Sequence, residues 1–293
     1  MATPLALSPT AIALVVGCAL AWTAFDLVRK LLVGKVDAIP LVFLLTALQV
    51  PLFVLWAHYD GVLTMPTAAY WPWALGSVAL NLVANALFIK AIQVSPLSLT
   101  IPLLSLTPAF ATLVSIPLLG QHPSGQQVLG IVLVVAGALA LNLAGAAGIP
   151  LARRFEPGAL MMIGVALLWS LTPPLDGRAI AQASPQVHGV VLSLGVALGL
   201  GLVLAVQGRL GTVRPALAFP SLVVISIFTS AVALALQLAS LAVASVAVIE
   251  TTKRGLGNFA SVIVGAAFFD EHVPVARWLA VAVMVAGVAL ILF

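Results

Sequence analysis

Ten runs of about twenty apolar residues follow one another along this chain, at roughly 9–28, 38–57, 69–90, 96–119, 126–145, 158–176, 186–207, 218–239, 244–269 and 274–293. A helix needs about 20 such residues to cross a hydrocarbon core ~30 Å thick. Inside that core every backbone N–H and C=O must be satisfied within the segment or by closing a barrel. The runs are apolar throughout and do not alternate, which excludes a transmembrane β-barrel. The spacing therefore predicts an all-α integral membrane protein with ten transmembrane helices. The connections are short: Gly34 to Asp37, Tyr59 to Gly61, Gln121 to Gly125 and Arg153 to Pro157 leave no loop that could fold as a separate domain. Any chemistry must sit among the helices.

Composition agrees with this reading. Hydrophobic residues make up 63% of the 293 positions and charged residues 7%, against roughly a quarter charged in soluble domains. A soluble enzyme, a nucleic-acid binder and a disordered chain are excluded. The net charge of +4 then bears on orientation in the bilayer. Loops 1–2, 3–4, 5–6, 7–8 and 9–10 hold Arg29, Lys30, Lys35, Lys90, Arg153, Arg154, Arg209, Arg214 and Arg277, whereas the opposite side holds Arg178 alone. Positive residues favour the cytoplasm, so the charge pattern places both termini outside. The single cysteine, Cys18, lies in an apolar run and reads as a small buried residue. Met1 to Pro9 has no basic stretch, so the first run is expected to be a membrane helix and not a cleaved signal.

The chain also resembles itself. At an offset of 150, Gln121-His122-Pro123 falls on Glu271-His272-Val273, and Val134 to Gly137 on Met284 to Gly287. At an offset of 147, Gly17 to Trp22 falls on Gly164 to Trp169. Two halves of five helices are implied, 1–147 and 155–293. Because five is odd, the halves insert in opposite senses around a central cavity, and inverted repeats are the signature of secondary transporters.

Each half resembles an EamA-type unit of the drug/metabolite transporter superfamily. The resemblance is carried by the Gly-x-x-x-x-Trp helices (Gly17 to Trp22, Gly164 to Trp169), by the proline-containing Leu103 to Pro108, and by the turns Leu119-Gly120-Gln121-His122 and Phe269-Asp270-Glu271-His272. Gln121 departs from the usual glutamate, and Asn258 stands where the second half often has proline. Length and helix number are similar to those of the amino-acid exporters of the YddG type. The resemblance implies a bacterial inner-membrane transporter whose partners are a small-molecule substrate and the lipid bilayer, as a monomer or homodimer. Members are commonly drawn with both termini in the cytoplasm, opposite to the charge pattern.

Ionisable groups at membrane depth cost ~2.5–3.5 kcal/mol each on insertion scales and are functional candidates by default. Helix nine carries Glu250-Thr251-Thr252-Lys253-Arg254, in which the bases at i+3 and i+4 can both reach the carboxylate. Asn258 continues that face. Such a set could hold a substrate carboxylate or amine, with Glu250 a proton site, or could only stitch helices together. Trp22, Asp26 and Arg29 share a face of helix one, and Trp169, Pro173 and Asp176 repeat the spacing. The two tryptophans, facing one another, could form an aromatic wall, while Asp26 and Arg29 are expected to pair at a helix end. Asn81 and Asn85, at i and i+4, offer amides to a neighbouring helix or a substrate. Pro102 and Pro108, around Thr100, Ser105 and Thr107, suggest a locally unwound segment, and Pro173 with Pro174 a kink or break. These four prolines are candidate flexing points.

The histidines are scattered, so no metal site or cofactor is expected, and no catalytic group is assigned. No phosphate-binding loop appears, so ATP-driven transport would need a separate chain. The leading expectation is an exporter of small amphipathic metabolites, above all aromatic or bulky apolar amino acids, working by alternating access. Efflux of drug-like organic cations is the alternative within the class. An intramembrane enzyme acting on a lipid would need an acid–base pair, for which Glu250 with Lys253 is the one close candidate.

Overall fold

The computed structural model describes residues 7–32, 35–95, 101–145, 157–268 and 274–293. Among them are ten α-helices and no strand: α1 (Pro9–Leu32), α2 (Ala38–Tyr59), α3 (Trp71–Val94), α4 (Thr107–Leu119), α5 (Gly125–Gly145), α6 (Pro157–Ile180), α7 (Pro185–Val206), α8 (Pro220–Leu241), α9 (Val246–Phe268) and α10 (Val275–Leu292). Seven of these are long and apolar enough to span a bilayer, α4 and α5 are shorter apolar helices, and α9 carries the charged cluster. Several open on proline (Pro9, Pro157, Pro185, Pro220), where the missing N–H would have had no partner anyway. Ser184 caps α7 by accepting the Val187 N–H at 3.2 Å. Leu55, Leu113, Leu198 and Leu279 stand exposed, as an outward surface in lipid requires.

The run at 96–119 is not one helix. Its described part is a 3-10 stretch, Ile101–Leu106, followed by α4. Pro108 offers no N–H to the Leu104 carbonyl, and the Thr107 hydroxyl donates to that carbonyl at 2.7 Å instead. The same Thr-Pro step recurs in α6, where the Thr172 hydroxyl donates at 3.1 Å to the Trp169 carbonyl that Pro173 leaves unbonded. Of the kink or break expected at Pro173 and Pro174, the break is not found: α6 runs continuously and both prolines are buried inside it. Thr100 lies outside the described residues, as do Arg153, Arg154, Glu271 and His272.

Helix packing follows the internal repeat. The main contacts are α3 with α6 and α8 with α1, α1 with α9 and α6 with α4, α2 with α7, and α5 with α10. Exchanging each helix for the one five places along maps this set onto itself. The α5–α10 crossing shows it at single residues: a Cβ on Gly137 would lie 2.8 Å from the Ala280 carbonyl oxygen, and one on Gly287 would lie 2.7 Å from that of Gly130. Positions 130 and 280, and 137 and 287, are related by the 150-residue offset. Small residues here let the backbones touch, the usual basis of helix association in lipid. Gly287→Ala should accordingly destabilise the protein by ~1–3 kcal/mol through overpacking, whereas Ala280→Gly, which removes bulk, should act much less. Thermal denaturation in detergent distinguishes them, and equal melting temperatures would refute the close approach.

Cross-loop contacts sort the helix ends onto two sides. Arg209 pairs with Asp37 at 3.1 Å, joining loops 7–8 and 1–2. On the other side, Gln186 donates to Asp60 at 2.6 Å and Arg178 to the Leu118 carbonyl at 2.7 Å.

Candidate functional site

The N-terminus of α9 is anchored by the other half of the chain. Gly120, in the left-handed conformation (φ 67°), ends α4. This turn delivers the next side chain to α9, where Gln121 Oε1 accepts the Val246 N–H at 3.0 Å. An amide oxygen thus caps the start of α9. Gln121→Ala is expected to lose an end-cap worth ~0.5–2 kcal/mol, while Gln121→Glu keeps the acceptor and adds a charge favourable at a helix N-terminus. Melting temperatures should rank Ala below both Gln and Glu.

Four and seven residues into α9 come Glu250 and Lys253. Lys253 Nζ lies 2.8 Å from Glu250 Oε1 and 2.8 Å from Gln237 Oε1 of α8. The same ammonium stands 5.1 Å from the centre of the Trp22 ring of α1, a cation–π distance. Glu250 is buried, at 4% exposure. Three helices thereby converge on one amine. The expectation that both bases reach Glu250 is corrected: among the described residues only Lys253 forms that ion pair. Arg254 falls about 100° further round the helix at 3.6 residues per turn. It is half-buried, its guanidinium lies within the fields of Glu250, Asp26 and Arg29, and no described carboxylate stands at ion-pair distance from it. Trp22 Nε1 is buried and, among the described residues, lacks a hydrogen-bond acceptor. Asn258, one turn beyond Arg254, is half-buried and engaged within the protein. At the 150-residue offset, residues 251–256, which include Lys253 and Arg254, fall on the 3-10 stretch 101–106, so the two halves differ at this level.

The remaining candidates form a second set. Trp169 packs on Phe88 of α3 with ring centres 5.7 Å apart, and both line the apolar cluster around Met162 and Val165. Trp22 packs instead against two other clusters, one among α1, α5, α9 and α10 and one among α1, α2 and α8, and the two tryptophan rings are not in contact. The Asn81 amide donates to the Ser77 carbonyl at 3.0 Å and that of Asn85 to the Asn81 carbonyl at 2.8 Å, so both nitrogens serve their own helix. Asp26 and Arg29 pair at 2.8 Å, exposed, at the end of α1.

The profile of the EamA-like transporter family matches residues 9–143 and 156–293. The chain belongs to that family. No curated protein matches the sequence. The solved structures that match include a crystal structure of a protein with the same fold, at a TM-score of 0.78 and 19% identity over 96% of each chain. The EamA-like transporter is thus a multi-pass membrane protein of two repeats.

Sequence reasoning missed two features of this EamA-like transporter. One is Gln237, a lone amide in the apolar run of α8. The other is a buried chain formed by Tyr70, Ser77, Asp176 and His188. The available signal was an acid and an imidazole flanking the short α6–α7 turn, which folds the two helix ends together.

Proposed function

We propose that this EamA-like transporter exports small amphipathic amino acids, aromatic or bulky apolar ones foremost, across a bacterial inner membrane by alternating access between its repeats, 1–147 and 155–293. The observation that carries this reading is Arg254: a half-buried guanidinium within a membrane helix, with no described carboxylate paired to it. A guanidinium presents a planar fork of donors that matches a carboxylate, and the Trp22 indole adds an N–H that has no acceptor among the described residues. Glu250, held by Lys253 at 2.8 Å, is neutralised and leaves little to attract an organic cation. Asn81, Asn85, Trp169 and Asn258 line the path in this reading, and Pro102, Pro108, Pro173 and Pro174 are its flexing points.

The test is competition in proteoliposomes. Amino acids, their uncharged-carboxyl amides and organic cations compete for uptake of a labelled aromatic amino acid at equal pH. Amino acids should compete, and the amides and cations should be much weaker. Transport of cations in preference to amino acids would replace this reading with drug efflux.

A further inference from the structure

The amides of Asn81 and Asn85 on α3 have a fixed orientation. Their nitrogens donate to the backbone carbonyls of Ser77 and Asn81, at 3.0 and 2.8 Å. A carbonyl only accepts, so the amide nitrogen must face it and the side-chain oxygen must point away. Among the described residues neither Oδ1 receives a donor. Two neutral acceptors, one helical turn apart, are left over.

Both lie on the inner side of α3. At 100° per residue, the exposed positions Leu75, Ala79, Val83 and Ala86 gather on one side of this helix, as a lipid-facing surface requires. Asn81 and Asn85 fall on the other side, between two packed faces. One face meets α6, where Ser77 bonds Asp176 and Ala84 joins the cluster of Met162 and Val165. The other meets α7, where Val78 and Leu82 lie against Gly195 and Gly199. Despite these flanking contacts both asparagines stay half-buried, and partial exposure on an inward side marks space between the helices. The same change occurs along α9: Val246 to Thr252 are buried, whereas Lys253 and Arg254 are half-buried. The two helices start on the same side of the membrane. At 1.5 Å per residue, Asn81 lies about 15 Å along α3 and Arg254 about 12 Å along α9, a similar depth.

An amino acid whose carboxylate sits on Arg254 also brings an ammonium, which needs acceptors once it leaves water. Among the described carboxylates, Glu250 is paired with Lys253, Asp176 is buried against Ser77 and His188, and Asp26, Asp37 and Asp60 are exposed. The side-chain oxygens of Gln237 and Gln49 already accept from Lys253 and Ser193. We propose that Asn81 and Asn85 are the ammonium-binding pair of this transporter, with their Oδ1 atoms accepting N–H bonds from the substrate α-amine. This rests on the transport reading above and deepens it: the substrate is a zwitterion held by α9 at its carboxylate and by α3 at its amine. Because both acceptors are neutral, an amine without a carboxylate gains only the weaker half of the site.

Calorimetric binding to the purified full-length protein tests this with three ligands: phenylalanine, phenylpropanoate, which lacks the amine, and the amide of phenylalanine. The wild type should prefer phenylalanine to phenylpropanoate by about 10- to 100-fold, the worth of a hydrogen bond to a charged group. Asn81→Leu combined with Asn85→Leu should bind these two alike, yet still prefer phenylalanine to its amide, because Arg254 is untouched. Should the double variant fail to fold, Asn85→Leu alone should narrow the first preference and keep the second. A wild type indifferent to the amine overturns the proposal, as does an amine preference that survives the substitutions. Loss of both preferences overturns it too, since the asparagines would then shape the site without holding the amine. If neither phenylalanine nor phenylpropanoate binds the wild type, the substrate reading itself is refuted and the assignment falls with it.

Discussion

Arg254→Gln is expected to weaken amino-acid binding by about 10- to 100-fold, with the protein still folded. The magnitude follows from the ~1.5–3 kcal/mol of a hydrogen bond to a charged group, at about 1.4 kcal/mol per tenfold. Arg254 stands outside the Glu250–Lys253 ion pair, so removing it leaves that pair intact. Arg254→Lys should recover only part of the loss, because an ammonium is a point charge and cannot present the planar fork. Equilibrium binding of a labelled amino acid to purified protein measures both variants. An affinity unchanged in Arg254→Gln would remove the guanidinium from the site.

Glu250→Gln should have the largest effect on stability. Glu250 is 4% exposed and its partner ammonium is also bound to Gln237 and stacked on Trp22. Taking away one member of a buried pair costs about 3–5 kcal/mol, mainly because the remaining charge is left without compensation. The Lys253 side chain is 17% exposed and keeps its Gln237 bond, so the lower end of that range is expected. Lys253→Met combined with Glu250→Gln removes both charges and should restore most of the lost stability. The check is a double-mutant cycle of thermal stability in detergent. Simple additivity of the two single effects would show that the pair is not coupled. Because either single change alters stability, transport by these variants is interpretable only after folding is confirmed.

How much of this was legible in the sequence depended on whether the relevant physics was local. The ten helices followed from apolar length alone; before α4, where two prolines suggested an unwound segment, the structure holds a 3-10 stretch. The α9 charges stood out because Glu250, Lys253 and Arg254 interrupt an apolar run. Which base Glu250 takes was not legible, since i+3 and i+4 are both within reach. The decision falls to Gln237, sixteen residues away on α8. The continuity of α6 through Pro173 was not legible, because it goes with the neighbouring Thr172 hydroxyl, which satisfies the freed carbonyl. The Tyr70–His188 bond spans 118 positions, and only the packing of α3 on α6 and α7 brings its members together. Gln121 appeared only as a departure from a motif, and its role as a cap for α9 required the fold of the other half.

The most direct test of the central claim crosses the protein variant with the substrate. Binding of an aromatic amino acid and of its amide is measured to the wild type and to Arg254→Gln. If Arg254 holds the substrate carboxylate, the wild type prefers the acid about 10- to 100-fold and the variant binds acid and amide alike. If the preference survives the substitution, the carboxylate is held elsewhere and the site on α9 is a structural cluster.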